Sequence, residues 1–198
     1  MSNEVANPTR RRVLVGASLV VGGVGGVSAL TPFVASWNPS AKARAAGAPV
    51  KADISKLEPG GQVIVAWRGK PVWIVRRSAE ALANLAVLDA NLADPDSAKS
   101  KQPKYVPGNA ARALRDEVVV MIGLCTHLGC SPTYRPEVVP TDFDANWQGG
   151  FYCPCHGSTF DLSGRVYKGK PAPTNLEIPP HFYESDTIIL IGEDGGNA

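Results

Sequence analysis

The sequence predicts an all-β antiparallel domain of roughly 150 residues, tethered to one N-terminal membrane-spanning helix. Three observations predict it. No charged side chain occurs between Val13 and Ala41. The remainder is rich in turn formers, with 20 glycines and 17 prolines across the chain, and its apolar runs are short. Four cysteines and two histidines are gathered into two short loops, each following a strand-like run. The net charge of +2 comes from Arg10, Arg11 and Arg12 set against Glu4; beyond them the charges balance. The main domain therefore has no cationic surplus to hold a polyanion, which argues against nucleic-acid binding.

The anchor is read from length and flanks. A helix needs about 20 apolar residues to cross a ~30 Å hydrocarbon layer, and Val13–Val34 is long enough. Pro32 and the glycines at 22, 23, 25 and 26 are better tolerated in lipid than in water. Trp37 falls where the segment reaches the far interface, and the three arginines favour a cytoplasmic N-terminus. A cleaved signal peptide competes, with small residues at 43–48, but its apolar stretch is normally about 7–15 residues. Thr9–Leu14 is also twin-arginine-like, with plain positive-inside anchoring as the alternative. Gly22 and Gly26 make a weak GxxxG.

Residues 38–48 mix small side chains with two cations and no bulky apolar group, so they read as a flexible hinge. Gln62–Trp67 and Pro71–Val75 are expected strands joined by an Arg68-Gly69-Lys70 turn. Ser78 is positioned to cap a helix running to Leu88. Residues 89–111 are polar, with scattered Pro and Gly, and read as a surface excursion. Val118–Ile122, Gly149–Tyr152, Arg165–Tyr167 and Thr187–Ile191 are further expected strands. The division is thus 1–12 as N-terminal tip, 13–37 as anchor, 38–48 as hinge and 49–198 as β domain.

The chemistry lies in Cys125-Thr126-His127-Leu128-Gly129-Cys130 and Cys153-Pro154-Cys155-His156-Gly157-Ser158. Thiolates with imidazoles suit zinc or iron–sulfur chemistry rather than magnesium or calcium. In an oxidising compartment two thiols can pair, leaving two Cys and two His as ligands. Tetrahedral zinc and a cluster with one histidine-bound iron both fit that count. The even split of Cys and His between the loops suits a two-metal unit.

These motifs resemble the Rieske iron–sulfur proteins of cytochrome bc complexes, the ubiquinol–cytochrome c reductases. The anchor, the alanine-rich tether and Pro171-Ala172-Pro173 extend the resemblance along the chain. It implies an antiparallel Rieske domain with a small cluster-binding subdomain and one 2Fe-2S cluster. Cys125 and Cys153 would hold one iron, and His127 and His156 the other. Cys130 and Cys155 would form a disulfide closing a loop of about 26 residues, worth roughly 3.5 kcal/mol in the chain-entropy model.

The resemblance also implies a mechanism. His156 would meet the hydroxyl of ubiquinol and accept its proton as the electron moves. The domain would then swing on residues 38–48 to reduce a membrane-anchored c-type cytochrome. Cytochrome b would hold the quinol, and the domain would face the periplasm from the bacterial inner membrane. Leu128 would sit on an apolar docking tip, the alternative being a residue tucked into the domain. Ser158 would donate a hydrogen bond that raises the reduction potential.

Two departures stand out: Lys170 interrupts a Gly-Pro-Ala-Pro loop, and Phe160 replaces a frequent tyrosine. His181 reads as a surface or core histidine, and Asp142 and Asp144 as solvated carboxylates. Two other functions remain open on sequence alone, a Rieske ferredoxin feeding an oxygenase and a zinc-stabilised periplasmic binding module.

Overall fold

A computed structural model describes residues 7–139 and 141–196; residues 1–6 of the N-terminal tip, Glu4 among them, lie outside the described residues. The chain divides into two units, Met1–Ala45 and Ala46–Ala198.

The first unit is dominated by helix α1 (Pro8–Ala35), whose 28 residues measure about 42 Å. Asn7 caps it, its Oδ1 accepting from the N–H groups of Thr9 at 3.0 Å and Arg10 at 3.3 Å. Pro8 supplies a preset φ at the first turn. The helix therefore begins before the three arginines, earlier than the hydropathy boundary at Val13. None of its residues is buried, and its uncharged stretch after Arg12 is long and apolar enough to span a membrane. Where composition suggests an irregular hinge, Ala41–Ala46 forms a short helix α2.

Among the described residues, the second unit holds three antiparallel sheets of three strands each. Strands β1 (Val50–Asp53), β9 (Ile188–Ile191) and β8 (His181–Tyr183) make one, in that order. Strands β2 (Gln62–Trp67), β3 (Lys70–Arg76) and β4 (Val118–Ile122) make the second. Strands β5 (Thr133–Arg135), β6 (Gly150–Cys153) and β7 (Ser158–Phe160) make the third.

The β2–β3 hairpin closes on Arg68 and Gly69, both left-handed with φ of 51° and 71°, so that Trp67 pairs with Lys70. Positive φ at both central residues matches the right-handed twist of the strands. Strands β3 and β4 are apolar on both faces because they form the wall between two cores. Val72, Ile74, Val118, Val120 and Ile122 face the β1–β9 side. Trp73, Val75, Val119 and Met121 face Phe151, Phe160, Cys125 and Cys153. Burying each such side chain is worth about 1.5–3 kcal/mol, so this wall contributes to both cores at once.

Several expectations need correction. Arg165–Tyr167 is not a strand; it forms only the isolated bridges Phe160–Val166 and Leu92–Tyr167. Its backbone is diverted by the left-handed turn at Gly164 and by the Asn175 side chain, which accepts from Val166 N–H. Residues 89–111 are not a surface excursion throughout: Leu92, Asp94, Ser97, Val106 and Ala111 are buried. Polar residues go inside there because they satisfy one another. Asp94 accepts from Ala98 N–H, Lys99 N–H and the Ser100 hydroxyl. Ser78 does cap a helix, α3 (Ala79–Leu85), which continues as a 3₁₀ turn over Ala86–Asn91.

Candidate metal centre

The two loops carry the same backbone device. Cys125 leaves β4 as a buried residue whose carbonyl accepts from Gly129 N–H at 2.9 Å. Cys153 ends β6, and its carbonyl accepts from Gly157 N–H at 2.9 Å. Gly129 and Gly157 have φ of 82° and 74°, with open space where a Cβ would lie. Glycine is thus required by backbone conformation rather than by crowding. Each turn places its histidine outward of a buried cysteine.

A disulfide joins Cys130 to Cys155 across the loops, with Cα atoms 6.7 Å apart. Cys125 and Cys153 remain free and buried. The sulfurs of Cys130, Cys153 and Cys155 gather within 4.8 Å, but two of them are spent in the disulfide and offer no thiolate. Cys125 and Cys153 are thus the thiols free to act as ligands, and each shares its loop with a histidine. The rings of His127 and His156 meet edge-on, with centroids 4.7 Å apart. His127 Nδ1 is buried without a hydrogen-bond partner, while His156 is exposed. Burial pushes the Cys125 thiol above its ordinary pKa; the His127 backbone N–H and the Ser158 hydroxyl pull the other way.

Two adjoining buried thiols and, on the same loops, two paired imidazoles, one with an unpartnered ring nitrogen, fit a two-iron cluster. The thiolates could hold one iron and the imidazoles the other. Residues 171–174 close over this arrangement. Ala172 N–H donates to Ser158 Oγ at 3.0 Å, and Thr126 Oγ1 donates to the Thr174 carbonyl at 2.6 Å. One covering segment is thereby fastened to both loops, and the lysine inserted at 170 does not prevent it.

Residues 1–40 match the family described as "Ubiquitinol-cytochrome C reductase Fe-S subunit TAT signal", and residues 49–180 match the Rieske 2Fe-2S domain. Over its full 198 residues the chain is 62% identical to the ubiquinol-cytochrome c reductase iron-sulfur subunit of Allochromatium vinosum, covering 95% of that protein. The chain belongs to the Rieske iron–sulfur subunits of ubiquinol–cytochrome c reductase. The cofactor of this Rieske domain is one 2Fe-2S cluster. The subunit of the same description from Bradyrhizobium diazoefficiens is 41% identical, over 94% of this chain and 96% of its own length. A chain of a solved hyperthermophilic respiratory Complex III aligns with 89% of this chain and 98% of its own, at 29% identity and a TM-score of 0.48.

The Rieske domain places the other singled-out residues as follows. Leu128 projects from the first loop, 72% exposed. Phe160 is fully buried in the core that also contains Cys125 and Cys153. His181 is buried away from both loops, with Nδ1 2.9 Å from the Pro179 carbonyl. Asp142 is exposed, whereas Asp144 is half-buried and binds back to Thr141.

Sequence reasoning missed Thr126, although it lies inside the first motif; a hydroxyl between two ligand candidates was the available signal. It also missed Asn175, whose amide ties Val166 to Asp94 and Ser97. No local pattern marks that residue, since its partners are distant in the chain.

Proposed function

We propose that Cys125 and Cys153 hold one iron, that His127 and His156 hold the other, and that His156 is the contact for quinol. The observation that carries this is the edge-on histidine pair on the same two loops as two free buried thiols. When bound, the cluster supplies one-electron chemistry at a potential raised by neutral imidazole ligation. His156, the exposed member of the pair, presents an imidazole that accepts a hydrogen bond from a ubiquinol hydroxyl and then its proton. His127, less exposed, fixes the approach by packing its ring against that of His156. Leu128 gives the rim an apolar contact for the quinol-binding subunit, and exclusion of water there strengthens the histidine–hydroxyl bond. The disulfide holds the two loops in register, so that both histidines share one face.

The partners on this reading are cytochrome b, which holds the quinol, a membrane-anchored c-type cytochrome as acceptor, and the lipid bilayer around α1. The arginines at 10–12 favour a cytoplasmic N-terminus, leaving the Rieske domain periplasmic in the inner membrane. Small residues at 38–48 support a domain that moves between donor and acceptor. The test is ligand replacement. His127→Cys and His156→Ala should each abolish the Rieske visible and reduced-state paramagnetic resonance signals; normal cluster content in either variant overturns the assignment.

A further inference from the structure

A second recess lies in the Rieske domain away from the histidines. It has a volume of about 600 Å³ and is formed by the β2–β3 turn, residues 101–105, residues 177–180 and the end of β9. That volume is in the range of small-molecule sites, about 300–1,000 Å³. No residue of either cysteine loop lines it. Its apolar wall includes Trp67, Ile178 and Pro180, and its cations are Arg68, Lys101 and Lys104.

Trp67 carries the strongest sign of a ligand. It is 7% exposed, and its indole N–H is buried with no acceptor. An indole can only donate, so this group gains a partner only if an oxygen is brought to it. The N–H edge lies against Gly192, which lines the same recess: a Cβ there would come within 2.5 Å of Nε1. The Arg68 guanidinium lies over the indole ring, 4.7 Å from its centroid. Lys101 is matched by Glu177 at 2.6 Å. Among the described residues neither Arg68 nor Lys104 has an ion-pair partner. Asp194 also contributes to the lining and keeps the recess from being uniformly positive.

We propose that this recess binds a phosphate group carried on an apolar body, such as an anionic phospholipid or a soluble phosphate ester. The phosphate oxygens draw countercharge from Arg68 and Lys104, and they accept from the Trp67 indole N–H as Gly192, which covers it in the empty recess, yields. The apolar part lies against Ile178 and Pro180. An apolar wall beside two unmatched cations suits such an amphiphile better than a fully hydrated anion.

The test follows the indole N–H resonances of the ¹⁵N-labelled full chain, carrying its cluster, in an uncharged detergent. Trp67→Phe identifies the Trp67 signal by its loss. Dihexanoyl phosphatidylglycerol should move that signal downfield and saturably, and exposed Lys104→Glu should weaken the apparent affinity about tenfold. Weaker binding of glycerol phosphate than of the lipid supports a lipid ligand; equal binding supports the headgroup chemistry alone. No saturable shift with either, an unaltered response in Lys104→Glu, or equal binding of zwitterionic dihexanoyl phosphatidylcholine overturns the proposal.

Discussion

Asp161 and Arg165 are both wholly buried and joined by a 2.8 Å hydrogen bond from Arg165 Nε to Asp161 Oδ2. The pair anchors a polar network beneath the second cysteine loop. Asp161 Oδ1 also accepts from the backbone N–H groups of Ser163 and Arg165. Arg112, fully buried, donates to the carbonyls of Ser163 and Leu176, so it ties the turn after β7 to the chain just beyond residues 171–174. Burial lowers the pKa of Arg77 and of Arg112 to about 10, and Asp161 is the largest opposing influence on each. One carboxylate thus serves three buried guanidinium groups.

Removing that carboxylate should be costly. Asp161→Asn removes the wholly buried counter-charge of Arg165 and leaves it only the half-exposed Asp89, and breaking a buried pair typically costs about 3–5 kcal/mol. Asp89, which also binds Arg165 but is 48% exposed, should matter much less, under about 1 kcal/mol in Asp89→Asn. Denaturant unfolding followed by tryptophan emission compares the two; equal losses would show that Asp161 is not the common counter-charge.

The disulfide should act on stability more than on ligand supply. Cys130→Ser with Cys155→Ser frees a loop of about 26 residues and should cost roughly 3.5 kcal/mol. Because Cys125 and Cys153 are separate from the bridge, some cluster should still assemble. Metal content and thermal unfolding of the double variant check both halves. A complete loss of iron in a folded variant would mean that the bridge is part of the assembly chemistry.

His181 sets an acid limit for the sheet that contains β8. Burial lowers its pKa below 6.5, and the bond to the Pro179 carbonyl offsets only part of that. The unfolded chain therefore binds a proton more readily than the folded one. The stability due to neutral His181 is fully present above about pH 6.5 and is lost as pH falls through the folded-state value. His181→Gln should flatten the wild-type decline between about pH 6.5 and 5, because glutamine takes up no proton. A variant whose acid decline is as steep as wild type would place the sensitive group elsewhere.

Much of this architecture was legible in the residues. The β2 and β4 boundaries fall where apolar runs meet charged turns, and the two cysteine loops announce themselves by composition. What escaped notice was decided by distant partners. Strand β7 is only Ser158–Phe160, too short for a pattern, and it exists because it pairs with Cys153 and Phe151. Buried Asp94 and Arg112 look like surface residues until Asn175 and Leu176 are brought to them. Polar interiors of this kind carry no hydropathy signal.

The last prediction concerns Ser158 and Phe160, alternate residues of β7 whose side chains share its inner face. Hydrogen bonds to cluster or ligand sulfur favour the more negative, reduced state and so raise the potential. Ser158 Oγ accepts from Ala172 N–H, which leaves the hydroxyl proton to be donated toward Cys125. Ser158→Ala should remove that donor and lower the potential. Phe160 is fully buried in the core that contains Cys125 and Cys153, and it has no hydroxyl to offer. A tyrosine there would need an acceptor, and the thiolate sulfurs of the same core can serve as one. A bond worth ~1 kcal/mol more in the reduced state corresponds to about 40 mV for one electron. Phe160→Tyr should therefore raise the potential by about that amount, at some cost in stability from overpacking a filled core. The higher potential should strengthen the pull on quinol and slow delivery to the cytochrome, a split visible in single-turnover kinetics. Potentiometric titration decides it: an intact cluster with no upward shift would mean that the ring at 160 packs the core without tuning the metal centre.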